Sequence, residues 1–397
     1  MTGEIIVPGF QVGGVRGKNY GLAIVRSNAP ANSSVVVTSN KIRAAPVELS
    51  IEHAKDHVSQ GVVISSGNAN AFTGAQGEHD AQRMCERASE KLGIGLDDVI
   101  VNSTGIIGQN LEMSEIDGLI DVVAGSLRSD EAGIISAADA MRTTDSFSKI
   151  VSRDVVVDGQ QARITGFAKG AGMIAPDLLH ATMIAVILTD AHVPRDVIDS
   201  ALGDAVDLSF NMINVDGDVS TNDMVILFAN GEACNEKVDS SFQTALNEVC
   251  LDLAKLIVKD GEGATKLFEI EIQGAKSLED ARRAAKSVVR STLVKTALFG
   301  ENPNWGRVVA AIGYSGADFD KTRLSLQLAN ESDEVLLVHG GVGVALKGTA
   351  EIKLAGKILK SDEVRFTAHL GVGDFSATAI GCDLGYNYVK VNAEYTT

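Results

Sequence analysis

The chain is poor in what several large function classes need. Only six of its 397 residues are proline, which excludes proline-rich disorder. Aromatic residues make up 5%, too few for the stacking platforms that hold single-stranded nucleic acid. Basic residues are outnumbered by acidic ones, 35 to 52, and the formal charge of −17 repels phosphate backbones and anionic membrane surfaces. The four cysteines, Cys85, Cys234, Cys250 and Cys382, lie far apart with no Cys-x-x-Cys pair. Neither a zinc knuckle nor a redox dithiol is indicated, and they read as reduced core residues of a cytoplasmic protein. The longest clean apolar run, Met183 to Leu188, is far short of the roughly 20 residues that span a bilayer. The opening stretch from Met1 to Pro8 has neither a basic n-region nor an apolar h-region, so no secretory signal is expected.

What is present is an ordinary globular balance of 45% apolar and 22% charged residues, with 40 glycines to serve tight turns. At roughly 100–200 residues per domain the length predicts two or three compact units. Val35 to Thr38, Gly61 to Ser65 and Val99 to Val101 read as strands. Glu78 to Leu92 reads as a helix closed by Gly93. A second helix opens at Ser240, with Gln243 as capping-box partner and an apolar face of Phe242, Leu246, Val249, Leu253, Leu256 and Ile257. A third runs from Ser277, capped with Asp280, to about Arg290. From about Arg323 the pattern turns to period two. Leu324–Leu328, Glu351–Leu354 and Glu363–Thr367 read as strands with one wet face, and Tyr388–Val391 as the last one. The expected fold is a large layered α/β body, residues 1–285, and a smaller, β-rich C-terminal α/β domain, residues 286–397.

Several short patterns suggest chemistry and fail on spacing. Gly170-Ala171-Gly172-Met173-Ile174-Ala175 fits a dinucleotide fingerprint, but Pro176-Asp177 starts a fresh element where the phosphate helix should already run. Asp216 to Ser220 opens like a calcium loop, yet Thr221 stands where glycine is required and Leu227 where glutamate is. It reads instead as a polar turn before a strand from Met224 to Phe228. His53 and His57 share a helical spacing without a third ligand and read as a solvated helix face. Gly261 to Lys266 does not have Walker spacing. The stretch Lys169-Gly170-Ala171-Gly172-Met173-Ile174, running on through Ala181-Thr182-Met183 to Thr189-Asp190-Ala191, reads on pattern alone as a buried helix capped by Asp177, with Thr182 a core threonine.

That same stretch resembles the ornithine acetyltransferase (glutamate N-acetyltransferase) family of arginine biosynthesis. So do Ser66 to Gly74, Ser103 to Gly108, Met141 to Asp145, Asp260 to Lys266, Asn302 to Arg307 and Asn392 to Thr397, in order along the whole chain. The resemblance implies a body of the aminopeptidase/ornithine-acetyltransferase type that cuts itself between Ala181 and Thr182, giving fragments of 181 and 216 residues. Thr182 then becomes an N-terminal nucleophile. Its freed α-amine, with a pKa near ~8, serves as the base that a weakly nucleophilic hydroxyl needs. By resemblance, Thr104 and Gly105 form the oxyanion hole, and Thr143, Lys169, Thr182, Glu262, Asn392 and Thr397 line the substrate site. Lys169 suits a substrate carboxylate. Leu179-His180 looks like a two-residue extension of the family pattern. The implied substrates are N2-acetylornithine and L-glutamate, with acetyl-CoA as a second donor left open. No metal or bound cofactor is implied, and the expected assembly is two α and two β chains. An N-terminal-nucleophile amidohydrolase or aminopeptidase, in which water replaces glutamate, is the alternative enzyme. A metabolite-binding protein is the non-enzymatic alternative.

Overall fold

A computed structural model describes residues 4–175 and 183–394. The chain begins with β1 (Phe10–Arg16), β2 (Gly21–Val37), α1 (Ala45–His53), β3 (Val58–Asn68), α2 (Gly74–Leu92) and β4 (Val99–Ile106). Then come α3 (Met113–Ala124), α4 (Glu131–Ala140), β5 (Lys149–Val157), β6 (Gln160–Lys169), β7 (Ile184–Thr189) and α5 (Arg195–Leu208). After a two-residue β8 (Ile213–Asn214) follow β9 (Met224–Ala229) and α6 (Ser240–Lys259). The remainder is β10 (Leu267–Ala275), α7 (Leu278–Arg290), α8 (Thr292–Phe299), α9 (Gly306–Gly313), β11 (Ser325–Ala329), β12 (Glu334–His339), β13 (Val342–Gly343), α10 (Ala350–Ile358), β14 (Glu363–His369), β15 (Phe375–Cys382) and α11 (Tyr386–Glu394). The chain divides into two compact units. One holds residues up to 211 and 218–257, the other 212–217 and 258–395. Residue 285, the expected border, falls inside α7, which belongs with α8 and α9 in the second unit.

The first unit is organised by one long strand. In β2, residues Gly21 to Arg26 and, after an irregularity, Ala31 and Asn32 pair with β3, while Asn32 to Val37 pair with β9. The sheet order is therefore β4-β3-β2-β9-β7-β6-β5, with β1 added alongside β2. The two halves of this sheet share one core. Ala23, Val25, Val62, Ile64 and Ile100 from one half pack in the same cluster as Phe167, Ile184, Val186, Met224 and Phe228 from the other. Leu22, Ile24, Val63 and Val101 on the outer face of the first half meet Met84 and Ala88 of α2 and Ile116 and Ile120 of α3. On the far side, Gly166 of β6 lies under Val249 and Leu253 of α6. The layers run helix, sheet, sheet, helix. Side chains such as Phe167 and Phe228, fully buried, each contribute about 1.5–3 kcal/mol by leaving water.

The sequence Ile184 to Thr189 is a central strand, hydrogen-bonded to β6 on one side and parallel to β9 on the other, and not the buried helix its pattern suggested. A run apolar on every residue fits a strand covered on both faces as well as a buried helix. The proposed cap at Asp177 lies outside the described residues. Helix α6 is capped by Asp239, whose Oδ1 accepts from Ser241 and Phe242 N–H, while Gln243 reaches Ala201 O and Asn247 instead. His53 is buried with Nδ1 2.7 Å from Val99 O, so it is no solvated face.

In the second unit seven strands form one sheet, β13-β12-β11-β14-β10-β15-β8, in which β10 is parallel to β14 and antiparallel to β15. Helices α7, α8 and α9 contribute Ala284, Val288, Leu298 and Ile312 to its core. Ser277 caps α7 as expected, its Oγ accepting from Asp280 N–H at 3.1 Å. Two expected strands are helices. Glu351 to Leu354 sits in α10, where the Thr349 hydroxyl caps Ile352 N–H and Ala355 and Ile358 are the buried side chains. Tyr388 to Val391 sits in α11, with Val389 exposed. Four alternating residues are too few to distinguish period two from one turn of a helix.

Candidate active site

Strand parity brings two of the expected residues together. In β4, Ile100 lies in the core between the half-sheets and Val101 faces the helices, so the two-residue period turns Thr104 inward. In β6, Phe167 lies in that inner core and Gly166 faces α6, so Lys169 also points inward. The two strands stand far apart in the sheet order, yet the fold-back of β2 sets their ends face to face. Lys169 Nζ donates to Thr104 Oγ1 at 3.2 Å, with both side chains buried. An ammonium only donates, so the hydroxyl accepts here and keeps its own proton for another partner. That is the state an oxyanion donor requires. The neighbouring Gly105 has φ +134°, and a Cβ there would lie 2.3 Å from the Gly67 carbonyl carbon and 2.5 Å from Asn68 N. Only glycine fits where the ends of β3 and β4 close on each other.

Asp145 ties this corner to a third expected residue. Its Oδ2 accepts from Thr143 N–H at 3.0 Å, and its Oδ1 accepts from Gly170 N–H at 2.6 Å and from Lys149 Nζ at 2.7 Å. The loop carrying Thr143 and the turn after Lys169 are thus fixed to one carboxylate. Burial pushes that carboxyl up, but the charges of Lys169 and Lys149, with the Gly170 N–H, outweigh it and hold it far below the usual carboxylate range. Asp145→Asn removes the charge that two buried lysines face, and is expected to cost about 3–5 kcal/mol of stability at neutral pH. A carboxyl with a depressed folded pKa stabilises above its unfolded value and loses that contribution as pH falls through the folded one. Wild type should therefore weaken below about pH 4 through this group, and the variant should lack that component. Denaturant melts of both proteins between pH 2 and 7 check it.

Glu262, in the turn after α6, and Asn392, on α11, are also brought together: Asn392 Nδ2 donates to Glu262 Oε2 at 2.8 Å and to Tyr388 O at 3.1 Å. Glu262 is half-buried and Asn392 exposed. Ala181, Thr182, Thr397 and the Leu179-His180 extension lie outside the described residues. Met183, the residue after Thr182, is described. Its carbonyl accepts from Met224 N–H at 2.9 Å, and its own N–H bonds the Asp223 carboxyl. Among the described residues no group of His, Cys, Asp and Glu is placed to hold a metal.

Sequence reasoning missed Asp145, Lys149, Asn222 and Asp223. Asp145 closes the block Met141 to Asp145, of which only Thr143 was singled out, and a strand-adjacent Asp four residues before Lys149 was its one signal. Asn222-Asp223 lies between the polar turn at Asp216 to Ser220 and the strand from Met224, and carries no signal of its own. The block Asn302 to Arg307 serves packing: Trp305 Nε1 donates to Ala345 O at 2.8 Å, and Arg307 Nη1 to Leu293 O at 2.6 Å.

Comparison with known proteins places the chain among relatives of full length. The ArgJ family model matches residues 9–397. The glutamate N-acetyltransferase of Methanocaldococcus jannaschii is 45% identical, the alignment covering 100% of this chain and 99% of that protein. The arginine biosynthesis bifunctional protein ArgJ of Caldanaerobacter subterraneus subsp. tengcongensis is 45% identical, with the same coverage of both. A crystal structure of the arginine biosynthesis bifunctional protein argJ from Bacillus halodurans is 39% identical over 52% of this chain and 96% of that chain, with a TM-score of 0.48.

Proposed function

The chain belongs to the ArgJ family, and from that premise we propose that it is a glutamate N-acetyltransferase of arginine biosynthesis, moving acetyl from N2-acetylornithine to L-glutamate through an acetyl-Thr182 ester. The Ala181–Thr182 bond is first cut by the protein itself. Thr182 Oγ then attacks the acetyl carbon while the freed α-amine takes the hydroxyl proton. Negative charge grows on the acetyl oxygen, where the Thr104 hydroxyl and the Gly105 N–H receive it. The carbon–nitrogen bond breaks, and the α-amine's proton leaves on ornithine. The amine of glutamate repeats the attack on the ester and Thr182 recovers its proton.

The observation that carries this reading is the buried Lys169–Thr104 contact, which leaves a hydroxyl proton ready to donate beside a cation. The charges favour an anionic substrate. Asp145 is ionised, and burial pushes the Asp223 carboxyl up toward its neutral form against the pull of Lys169. Lys169, buried beside Thr104, is the cation placed to meet a substrate carboxylate. Glu262, hydrogen-bonded to Asn392, holds or deprotonates the attacking amine, and Asn392 and Thr397 supply polar contacts. The two fragments stay together after the cut, because β6 belongs to one and β7 to the other, and these are paired along Ile164 to Lys169. Two copies of each form the assembly, in the cytoplasm. No helix among the described residues is long and apolar enough to cross a membrane.

Acetyl transfer from N2-acetylornithine to glutamate, run with and without acetyl-CoA, tests the activity and its donor. Ping-pong kinetics are expected. Mass spectrometry of enzyme mixed with N2-acetylornithine alone should add one acetyl group to the fragment beginning at Thr182. A requirement for glutamate before any ornithine appears would rule out the ester.

A further inference from the structure

Two consecutive side chains in the turn before β9 reach in opposite directions. Asn222 Nδ2 donates to Ser103 O at 2.8 Å and to Ala69 O at 2.6 Å, and Asn102 Nδ2 donates back to Asn222 O at 2.8 Å. Thr221 Oγ1 donates to Asn222 Oδ1 at 2.5 Å, which fixes the amide with its nitrogen toward those carbonyls. Ser103 immediately precedes Thr104. The carboxyl of the next residue, Asp223, faces the Met183 N–H as well as Thr38 and Ser220, the Met183 carbonyl accepts from Met224 N–H at 2.9 Å, and Met183 immediately follows Thr182. Asp223 is fully buried, its own carbonyl accepts Thr38 N–H at 3.1 Å, and its Oδ2 has no hydrogen-bond partner among the described residues.

We propose that Asn222 and Asp223 form a strut that sets the spacing between the Thr182 nucleophile and the Thr104 oxyanion donor, as positioning residues for acyl transfer. Each holds the backbone one residue away from a reacting group, and a single peptide link joins them. The peptide link is planar, the Asn222 side chain is held at both its oxygen and its nitrogen, and Met224 N–H holds the Met183 carbonyl, so the span between Ser103 and Met183 has little freedom. Acyl transfer needs that precision, because a misplacement of about 1 Å costs about a hundredfold in rate. Asn222 works as a double donor and Asp223 as an acceptor. Their substitutions therefore have different consequences. Asn222→Asp is nearly isosteric but sets a carboxylate against two carbonyls. Asp223→Asn keeps an oxygen for Met183 N–H and carries no charge, as suits a carboxyl that burial already pushes toward its neutral form.

The inference rests on Thr182 being the nucleophile. Asn222→Ala, Asn222→Asp, Asp223→Ala and Asp223→Asn are compared with wild type for cleavage half-time, for kcat and KM of acetyl transfer in cleaved protein, and for folding by circular dichroism and melting. The first three should lower kcat or cleavage rate about a hundredfold with KM within about threefold, while Asp223→Asn stays within about threefold of wild type. The strut is overturned if folded Asn222→Ala or Asp223→Ala keeps wild-type rates. It is also overturned if Asp223→Asn is as damaged as Asp223→Ala, or if losses only follow the unfolded fraction. Should an alanine variant not fold, the contrast between Asn222→Asp and Asp223→Asn decides. Wild type that neither cleaves nor transfers acetyl overturns the nucleophile reading itself, and the strut with it.

Discussion

Thr182→Ala gives a single uncut chain with no acetyl transfer. Both losses have one cause. Self-cleavage needs the Thr182 hydroxyl to attack the Ala181 carbonyl, and transfer needs the same oxygen to carry the acetyl group. Alanine has neither oxygen nor substitute. Transfer should fall roughly 10⁴-fold or more, the scale for removing a nucleophile that acts as a unit with its base. Thr182→Ser sharpens the test, since it keeps the hydroxyl and should restore both cleavage and transfer at reduced rates. A denaturing gel of wild type should show fragments of 181 and 216 residues, and of Thr182→Ala a band of 397. If wild-type protein stays whole after long incubation yet transfers acetyl, the free amine is not the base. If Thr182→Ala is cut at the same bond, another group attacks the Ala181 carbonyl.

The parts of this site that were legible in the sequence are those that local chemistry or a contiguous block identifies. Thr104-Gly105 stands at the end of a β-rich run, and the glycine is demanded by the approach of Gly67 and Asn68, a constraint that leaves its mark on residue type. Lys169 was legible through the block that carries the family resemblance. Its burial against Thr104 could not be read, because the two residues are 65 positions apart and meet only through the course of β2 between the half-sheets. The same holds for Asn222, whose partner Ser103 is 119 residues away and whose side chain looks like any turn former. Pattern alone also failed on Ile184 to Thr189, where burial on both faces erases the period that separates strand from helix. In α10 and α11 a few β-branched residues outweighed the longer context. The Thr349 cap of α10, bonded to Ile352 N–H, was the signal available there.

Thr104→Ala should slow the acetylation of Thr182 and its deacetylation by glutamate alike. Each half-reaction passes through a tetrahedral oxyanion on the same acetyl carbon, so a donor that serves that oxygen is used twice. Losing one such donor costs about 10²–10³ in kcat. The donor acts on the transition state, so substrate affinity should change far less. The contact with Lys169 adds a second consequence. At 3.2 Å the hydroxyl is an acceptor for that ammonium, and alanine leaves a buried cation one partner poorer. A displaced lysine adds its own loss, which shows as a raised KM for both amino-acid substrates. Thr104→Ser separates the two effects, since it keeps the acceptor for Lys169 and the donor for the oxyanion while deleting only a methyl group. Single-turnover measurements of ornithine release and of acetylglutamate formation should give equal fold-losses in Thr104→Ala and near-complete recovery in Thr104→Ser. A loss confined to one half-reaction would make Thr104 a contact to that substrate, and a rise in KM with kcat intact would leave the oxyanion to Gly105 and another donor.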